Sequence, residues 1–141
     1  MGLVIETVGF WPYNTGFENL ETLASIKNKI TKADIRLTLT RVGLDPDDRK
    51  KYGKYSLGMK QRLAIAQAIM EKPRLILLDE PTNAIDGEGV ERIRNVIKEE
   101  KERGATVLIA SHNKEDLTTL CSRFFKMSGG RLEETSREAV R

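Results

Sequence analysis

The sequence predicts an α/β fold built on a parallel sheet. Two observations carry this. The run Leu75-Ile76-Leu77-Leu78 enters Asp79-Glu80-Pro81 without polar alternation, and Ala105-Thr106-Val107-Leu108-Ile109-Ala110 runs likewise into Ser111-His112. Unbroken apolar runs of this length suit strands buried on both faces of a parallel sheet. Between and around them lie segments with helical spacing, and strands alternating with helices make βαβ units. At 141 residues one domain is the default, and such a chain buries roughly 70% of its unfolded surface.

Gly2-Leu3-Val4-Ile5-Glu6 reads as a short buried strand. Thr7–Thr15 is a loop rich in turn formers that also carries Phe10, Trp11 and Tyr13, as loop packing or as a partner-docking surface. Thr15 with Glu18 three residues on forms a capping-box pattern. The helix it opens carries Phe17, Leu20, Leu23, Ala24 and Ile26 on one side. Thr31-Lys32-Ala33-Asp34 opens a second helix with Ile35, Leu39 and Val42 inside, stopped by Gly43. Leu44–Lys54 is a polar connection. Tyr55-Ser56-Leu57-Gly58-Met59-Lys60-Gln61-Arg62 then starts an alanine-rich helix that ends at Lys72-Pro73. After the Leu75–Leu78 strand comes the loop Thr82-Asn83-Ala84-Ile85-Asp86. Asp86 caps a helix running to about Arg103, with Val90, Ile93 and Ile97 inside. Asn113 starts a short helix. Phe124-Phe125-Lys126-Met127 and Arg131-Leu132 flank Gly129-Gly130 as a β-hairpin. The tail to Arg141 is polar and expected to fray.

Bulk properties exclude several functions. Net charge is +3 with both signs interspersed, and the one tight basic cluster, Arg49-Lys50-Lys51 with Lys54, reads as a solvated loop rather than a nucleic-acid patch. One cysteine, Cys121, rules out an intramolecular disulfide and fits a reducing compartment. No apolar run approaches the ~20 residues of a membrane helix, so work at a membrane requires a partner.

The chemistry gathers at the strand ends, where open α/β sheets place ligands. Asp79 suits Mg²⁺ held through its hydration shell. Glu80 suits polarising an attacking water. Ser56 and Gly58 precede a helix, a ready anion site at the positive end of its dipole; Ser56 equally suits a plain N-cap.

Four pieces stand in order: YSLGMKQR at a helix start, LILLDEP, NAID ending seven residues after Asp79, and SH at the next strand tip. Together they resemble the nucleotide-binding subunit of ATP-binding cassette (ABC) transporters, most closely the bacitracin and antibiotic-resistance branch. The resemblance covers essentially the whole chain. It implies a partial P-loop NTPase core with a parallel sheet plus an α-helical signature subdomain. Residues 1–15 would hold the strand and loop, 16–72 the helical subdomain, 73–133 the rest of the core and 134–141 a tail.

The roles follow from the same resemblance. It makes Glu80 and His112 catalytic and Asp79 the Mg²⁺ residue. Ser56, Gly58, Asp86 and Glu6 are its nucleotide-site residues. ATP and Mg²⁺ are the implied cofactors. The implied partners are a second ATP-binding subunit in a head-to-tail dimer, whose ATP meets the signature, and a membrane-spanning permease docked near Thr7–Thr15 and the helical segment. The implied location is the cytoplasmic face of the membrane. Gln61 and Arg62 are expected to be structural.

The match has departures. No GxxxxGK[ST] occurs in the 141 residues, so the chain alone is expected to be inactive. The strand preceding that motif in the family belongs between Thr106–Ala110 and Phe124–Met127, so an unpaired edge is expected there, with poor stability or oligomerisation. Leu57 and Met59 replace the usual glycine and glutamine of the signature, and Glu6 stands where the family has a metal-contacting glutamine. Two rival readings are a non-enzymatic module that donates its signature face to an intact partner, and a soluble ATPase of the same superfamily.

Overall fold

The computed structural model describes the backbone of residues 2–4 and, beyond it, residues 9–140. Its centre is a three-stranded parallel sheet in the order β1 (Gly2–Val4), β2 (Leu75–Asp79), β3 (Thr106–Ala110). Val4 pairs with Leu78 and Asp79 with Ala110, so all three strands point the same way and the polar residues after β2 and β3 emerge at one end.

Burial along these strands corrects one expectation. Ile76 and Leu78 are buried, but Leu75 is exposed and Leu77 only half-buried. On β3, Leu108 is 58% exposed. The register puts Ile76 beside Val107 and Leu78 beside Ile109 on one face, and Leu77 beside Leu108 on the other. Burying both faces needs a packed layer on each side; among the described residues only one face is well covered. The far edge of β3 pairs with no other strand among them, and this is the edge at which the resemblance places a further strand.

The helical part precedes β2. α1 (Gly16–Lys27), α2 (Lys32–Arg41) and α3 (Leu57–Ile69) pack on one another, and α3 lies against β1 and β2. Leu20, Ile35, Leu39, Val42, Leu63 and Ile65 are almost wholly enclosed at their junction. Complete burial of such side chains contributes about 1.5–3 kcal/mol each. Ile26, assigned from its spacing to the inner side of α1, is 76% exposed.

Thr15 Oγ1 accepts from the Glu18 N–H at 3.1 Å. The reciprocal half of that box is not made, and the Glu18 carboxylate lies 3.9 Å from Lys51 instead. The full box forms at α2, where Asp34 N–H donates to Thr31 Oγ1 at 3.2 Å and Thr31 N–H donates to the Asp34 carboxylate at 2.8 Å. Gly43, at φ 86°, follows α2 in the left-handed conformation its sequence position predicts.

The aromatic loop divides by residue. Phe10 is core and meets Tyr52 edge-on at 5.2 Å. Trp11 and Tyr13 are 46% and 85% exposed. Fully buried Asn19 fastens this loop to α1: its Oδ1 accepts from Trp11 N–H at 2.8 Å, and its amide donates to the Thr15 carbonyl at 2.9 Å.

α4 (Gly87–Glu102) packs on β3 and on α5 (Lys114–Leu120). Ile93, Val96 and Ile97 form its inner stripe, with Val90 half-buried. β4 (Phe124–Ser128) and β5 (Arg131–Thr135) form the expected hairpin, turned by Gly129 and Gly130 at φ 55° and 77°. Positive φ at both central residues is what a two-residue type I′ hairpin turn requires.

The described part of the tail is structured rather than loose. Residues Arg137–Val140 form a helical turn, α6. Arg137 donates to the Thr118 and Cys121 carbonyls, and its guanidinium lies 5.4 Å from the Phe124 ring. An arginine that satisfies two helix-end carbonyls and covers an aromatic face fixes a segment that composition alone reads as loose.

Candidate functional site

The site forms where β2 and β3 end side by side. β2 delivers Asp79 in register with Ala110, and the Glu80 N–H donates to the Ala110 carbonyl at 2.8 Å. Glu80 then turns out of the sheet at φ 46°. A non-glycine residue in the left-handed region costs roughly 1–2 kcal/mol and persists only where its surroundings hold it. Three contacts do so. Ser111 Oγ donates to Glu80 Oε2 at 3.1 Å, His112 N–H donates to Glu80 Oε1 at 2.8 Å, and the Gln61 amide on α3 donates to the Glu80 carbonyl at 3.1 Å. Both carboxylate oxygens are thus engaged while the side chain stays half-exposed. Asp79 and His112 are exposed beside it.

A neighbouring cluster comes from the start of α3 and the 82–86 loop. Ser56 occupies the N-cap position, and its Oγ accepts from Met59 N–H at 3.1 Å. That leaves the exposed hydroxyl proton free to donate outward. Gly58 has a use the sequence did not reveal: a Cβ there would lie 2.8 Å from the Ala84 carbonyl oxygen. The missing side chain admits the backbone of the 82–86 loop, and Ala84 holds that approach at φ 63°. Asp86 stands at the N-cap of α4, but its side chain makes no capping hydrogen bond. The expected cap is therefore positional only, and the carboxylate remains exposed. Glu6 lies outside the described residues.

Behind the site is a buried polar cluster that spacing did not expose. Asp116 on α5 is fully buried, and Arg94 on α4 and Thr82 nearly so. Thr82 Oγ1 donates to Asp116 Oδ2, and Arg94 Nε and Nη2 approach Asp116 Oδ1 at 2.8 and 2.7 Å. Burial works against the Arg94 charge, but hydrogen bonds and charge from Asp116 and Glu115 outweigh it and raise its pKa above the ordinary value. This cluster ties the loop after Glu80 to the helix after His112.

The structure therefore brings the Glu80 carboxylate onto the Ser111 hydroxyl and the His112 backbone N–H, and sets Asp79 at the same strand tips. It places Ser56 and Gly58 with the 82–86 loop. The sequence reading missed Gln61 and Ser111 as holders of Glu80, and Asp116 altogether. Gln61 and Ser111 each stand inside a motif, and that is a usable signal. Asp116 carried none, since an acid in a short polar helix reads as solvated.

Comparisons with known proteins show the family and the fold. The family described as ABC transporter matches residues 1–83. "Uncharacterized ABC transporter ATP-binding protein YybJ" of Bacillus subtilis (strain 168) is 48% identical over 137 residues, 97% of this chain and 63% of that protein. Bacitracin transport ATP-binding protein BcrA of Enterococcus faecalis is 42% identical over 135 residues, 95% of this chain and 44% of that protein. The chain thus spans between 44% and 63% of the length of these curated relatives. A solved dimeric, post-hydrolysis state of the ATP-binding cassette MJ0796, bound to ADP and Pi, superposes with a TM-score of 0.82 at 27% identity, covering 94% of this chain and 62% of that one. No described helix is long and apolar enough to cross a membrane. With two strand tips presenting an aspartate, a pinned glutamate and a histidine, a capped helix start packed on the loop between them, and relatives matched along nearly its whole length, the chain belongs to the ABC transporter family as an ATP-binding domain.

Proposed function

We propose that this chain supplies the hydrolytic and phosphate-gripping groups of an ATP-binding subunit serving antibiotic or peptide export and resistance. The observation that carries the proposal is the Glu80 carboxylate, held by Ser111 and the His112 N–H beside exposed Asp79. Each carboxylate oxygen keeps a second lone pair, so Glu80 retains the capacity to orient a water and take its proton. His112, on the same tip, donates from its imidazole to the terminal phosphate. Asp79 fits a phosphate-borne Mg²⁺: one exposed carboxylate suffices for an ion that completes its shell with water and phosphate oxygens. When bound, Mg²⁺ neutralises charge that builds on the transferred phosphoryl group.

Ser56, with its hydroxyl proton free, and the N-terminal amides of α3 face a nucleotide held by a second subunit in a head-to-tail dimer. Gly58 sets the loop behind them, and Asp86 meets that second subunit across the interface. Glu6 enters only through the resemblance, as a metal-contacting position. Exposed Trp11 and Tyr13 offer amphipathic rings to a membrane-spanning permease, which would hold the subunit at the cytoplasmic face. Relatives named for bacitracin and lantibiotic transport support the export and resistance reading.

The test is phosphate release by the permease-bound subunit. Glu80→Gln is expected to cut turnover by about 10²-fold or more while retaining nucleotide binding. Turnover that survives the substitution refutes the assignment. The 141 residues alone are expected not to bind ATP at micromolar concentration; binding that is lost in Asp79→Asn would overturn that expectation.

A further inference from the structure

We propose that Ser111 is the positioning residue of the hydrolytic glutamate: its hydroxyl aims the Glu80 carboxylate and thereby sets turnover, without contributing to nucleotide affinity. The inference rests on the role proposed for Glu80 and adds a second residue to that site.

The hydroxyl is a directed donor. Asn113 N–H donates to Ser111 Oγ at 2.9 Å, which occupies an acceptor position on that oxygen. Its one hydrogen then goes to Glu80 Oε2 at 3.1 Å. The hydroxyl is thus oriented by the backbone at the start of α5 before it meets the carboxylate. The other carboxylate oxygen takes the His112 N–H at 2.8 Å. Two donors on two oxygens fix both the position and the rotation of the carboxylate plane. With the Ser111 hydroxyl removed, the group pivots about the single bond to His112 N–H. Main-chain restraint does not replace the lost contact. The Glu80 N–H and carbonyl are anchored by Ala110 and Gln61, but those bonds act on the backbone and not on the side-chain torsions. Ser111 is half-buried and belongs to no apolar cluster, so shortening it leaves the core intact.

The experiment uses the permease-bound subunit. Ser111→Ala is expected to lower kcat about tenfold, in keeping with a hydrogen bond to a charged group. KM for ATP and the Kd of a fluorescent ATP analogue stay within about twofold, because the hydroxyl acts through Glu80. Ser111→Thr, which keeps the hydroxyl, recovers most of the loss. Ser111→Cys, similar in size with a weaker donor, falls between. As a readout independent of turnover, the Tm losses of Ser111→Ala and Glu80→Ala are expected to be non-additive in the double variant.

A Ser111→Ala kcat within twofold of the parent overturns the proposal. So does a KM that rises in step with falling kcat, or strictly additive Tm losses. Glu80→Gln run alongside separates the two levels. If it is inactive while Ser111→Ala is unaffected, only the role of Ser111 falls. If it remains active, the reading of the site falls with it.

Discussion

Replacing Asp116 by alanine should unsettle the floor beneath the site, and the structure sets the size of the effect. The carboxylate is fully buried and serves two groups, the Arg94 guanidinium at 2.7–2.8 Å and the Thr82 hydroxyl. Removing one partner of a buried pair typically costs about 3–5 kcal/mol, because the surviving charge stays desolvated. Arg94 keeps Glu91 at 2.8 Å and Glu115 at 3.3 Å, but both are largely exposed, and such contacts recover no more than about 1 kcal/mol. The net expectation is a loss of about 3 kcal/mol. At roughly 2–4 °C per kcal/mol for a domain of this order, the melting temperature falls by about 10 °C. The assay is thermal and urea unfolding of the subunit that carries this chain, with the urea slope unchanged. A companion Arg94→Met/Asp116→Ala variant should recover at least half of the loss, since it leaves no charge stranded. A single-variant loss under about 1 kcal/mol, or a double variant no better than the single, would falsify the reasoning.

Three further outcomes are expected. Burial pushes the Cys121 thiol above its usual pKa, against the pull of Lys101 and Arg137; alkylation at pH 8 should therefore be slower than for a free thiol and accelerate in urea, and a rate equal to free cysteine counts against the packing around α5. The backbone N–H and hydroxyl of Thr31 hold the Asp34 carboxyl below the usual range. A depressed folded value gives stability that is present above the unfolded pKa, about 3.9, and lost as pH falls through the folded one. The margin of the parent over Asp34→Asn should therefore be visible at pH 6 and vanish in stronger acid; a margin independent of pH is the contrary result. The edge of β3 that pairs with no other strand among the described residues, with Leu108 58% exposed, should make the 141-residue chain associate as concentration rises, and Leu108→Lys should reverse this; sedimentation showing one monomeric species for both chains contradicts it.

Much of this was legible in the sequence because local chemistry and fold agree. Thr31 with Asp34, Ser56 before a helical run, Gly43 after one, and Gly129-Gly130 between two short strands each specify one backbone geometry, and each forms. The paired strand tips were legible for the same reason, since an apolar run that stops at an acid or a histidine marks its own end. What the sequence could not show depended on which layer covers which face. Leu108 and Ile26 carry the hydrophobicity of core residues but lie where nothing described covers them. Arg94, Glu100 and Asp116 look solvated, yet are enclosed because partners distant in sequence neutralise them. The tail misled because its order comes from one arginine reaching across to α5 and β4, a contact no local window contains.

The close approach of Gly58 to the Ala84 carbonyl, where an added Cβ would fall 2.8 Å from the oxygen, also has a mechanical side. Two segments far apart in the chain approach there with no side chain between them. Pressing the start of α3 toward that loop loads the Ala84 carbonyl directly, and the loop begins two residues after Glu80. If the start of α3 grips a phosphate as proposed above, a displacement there has one backbone contact by which to reach the strand tips.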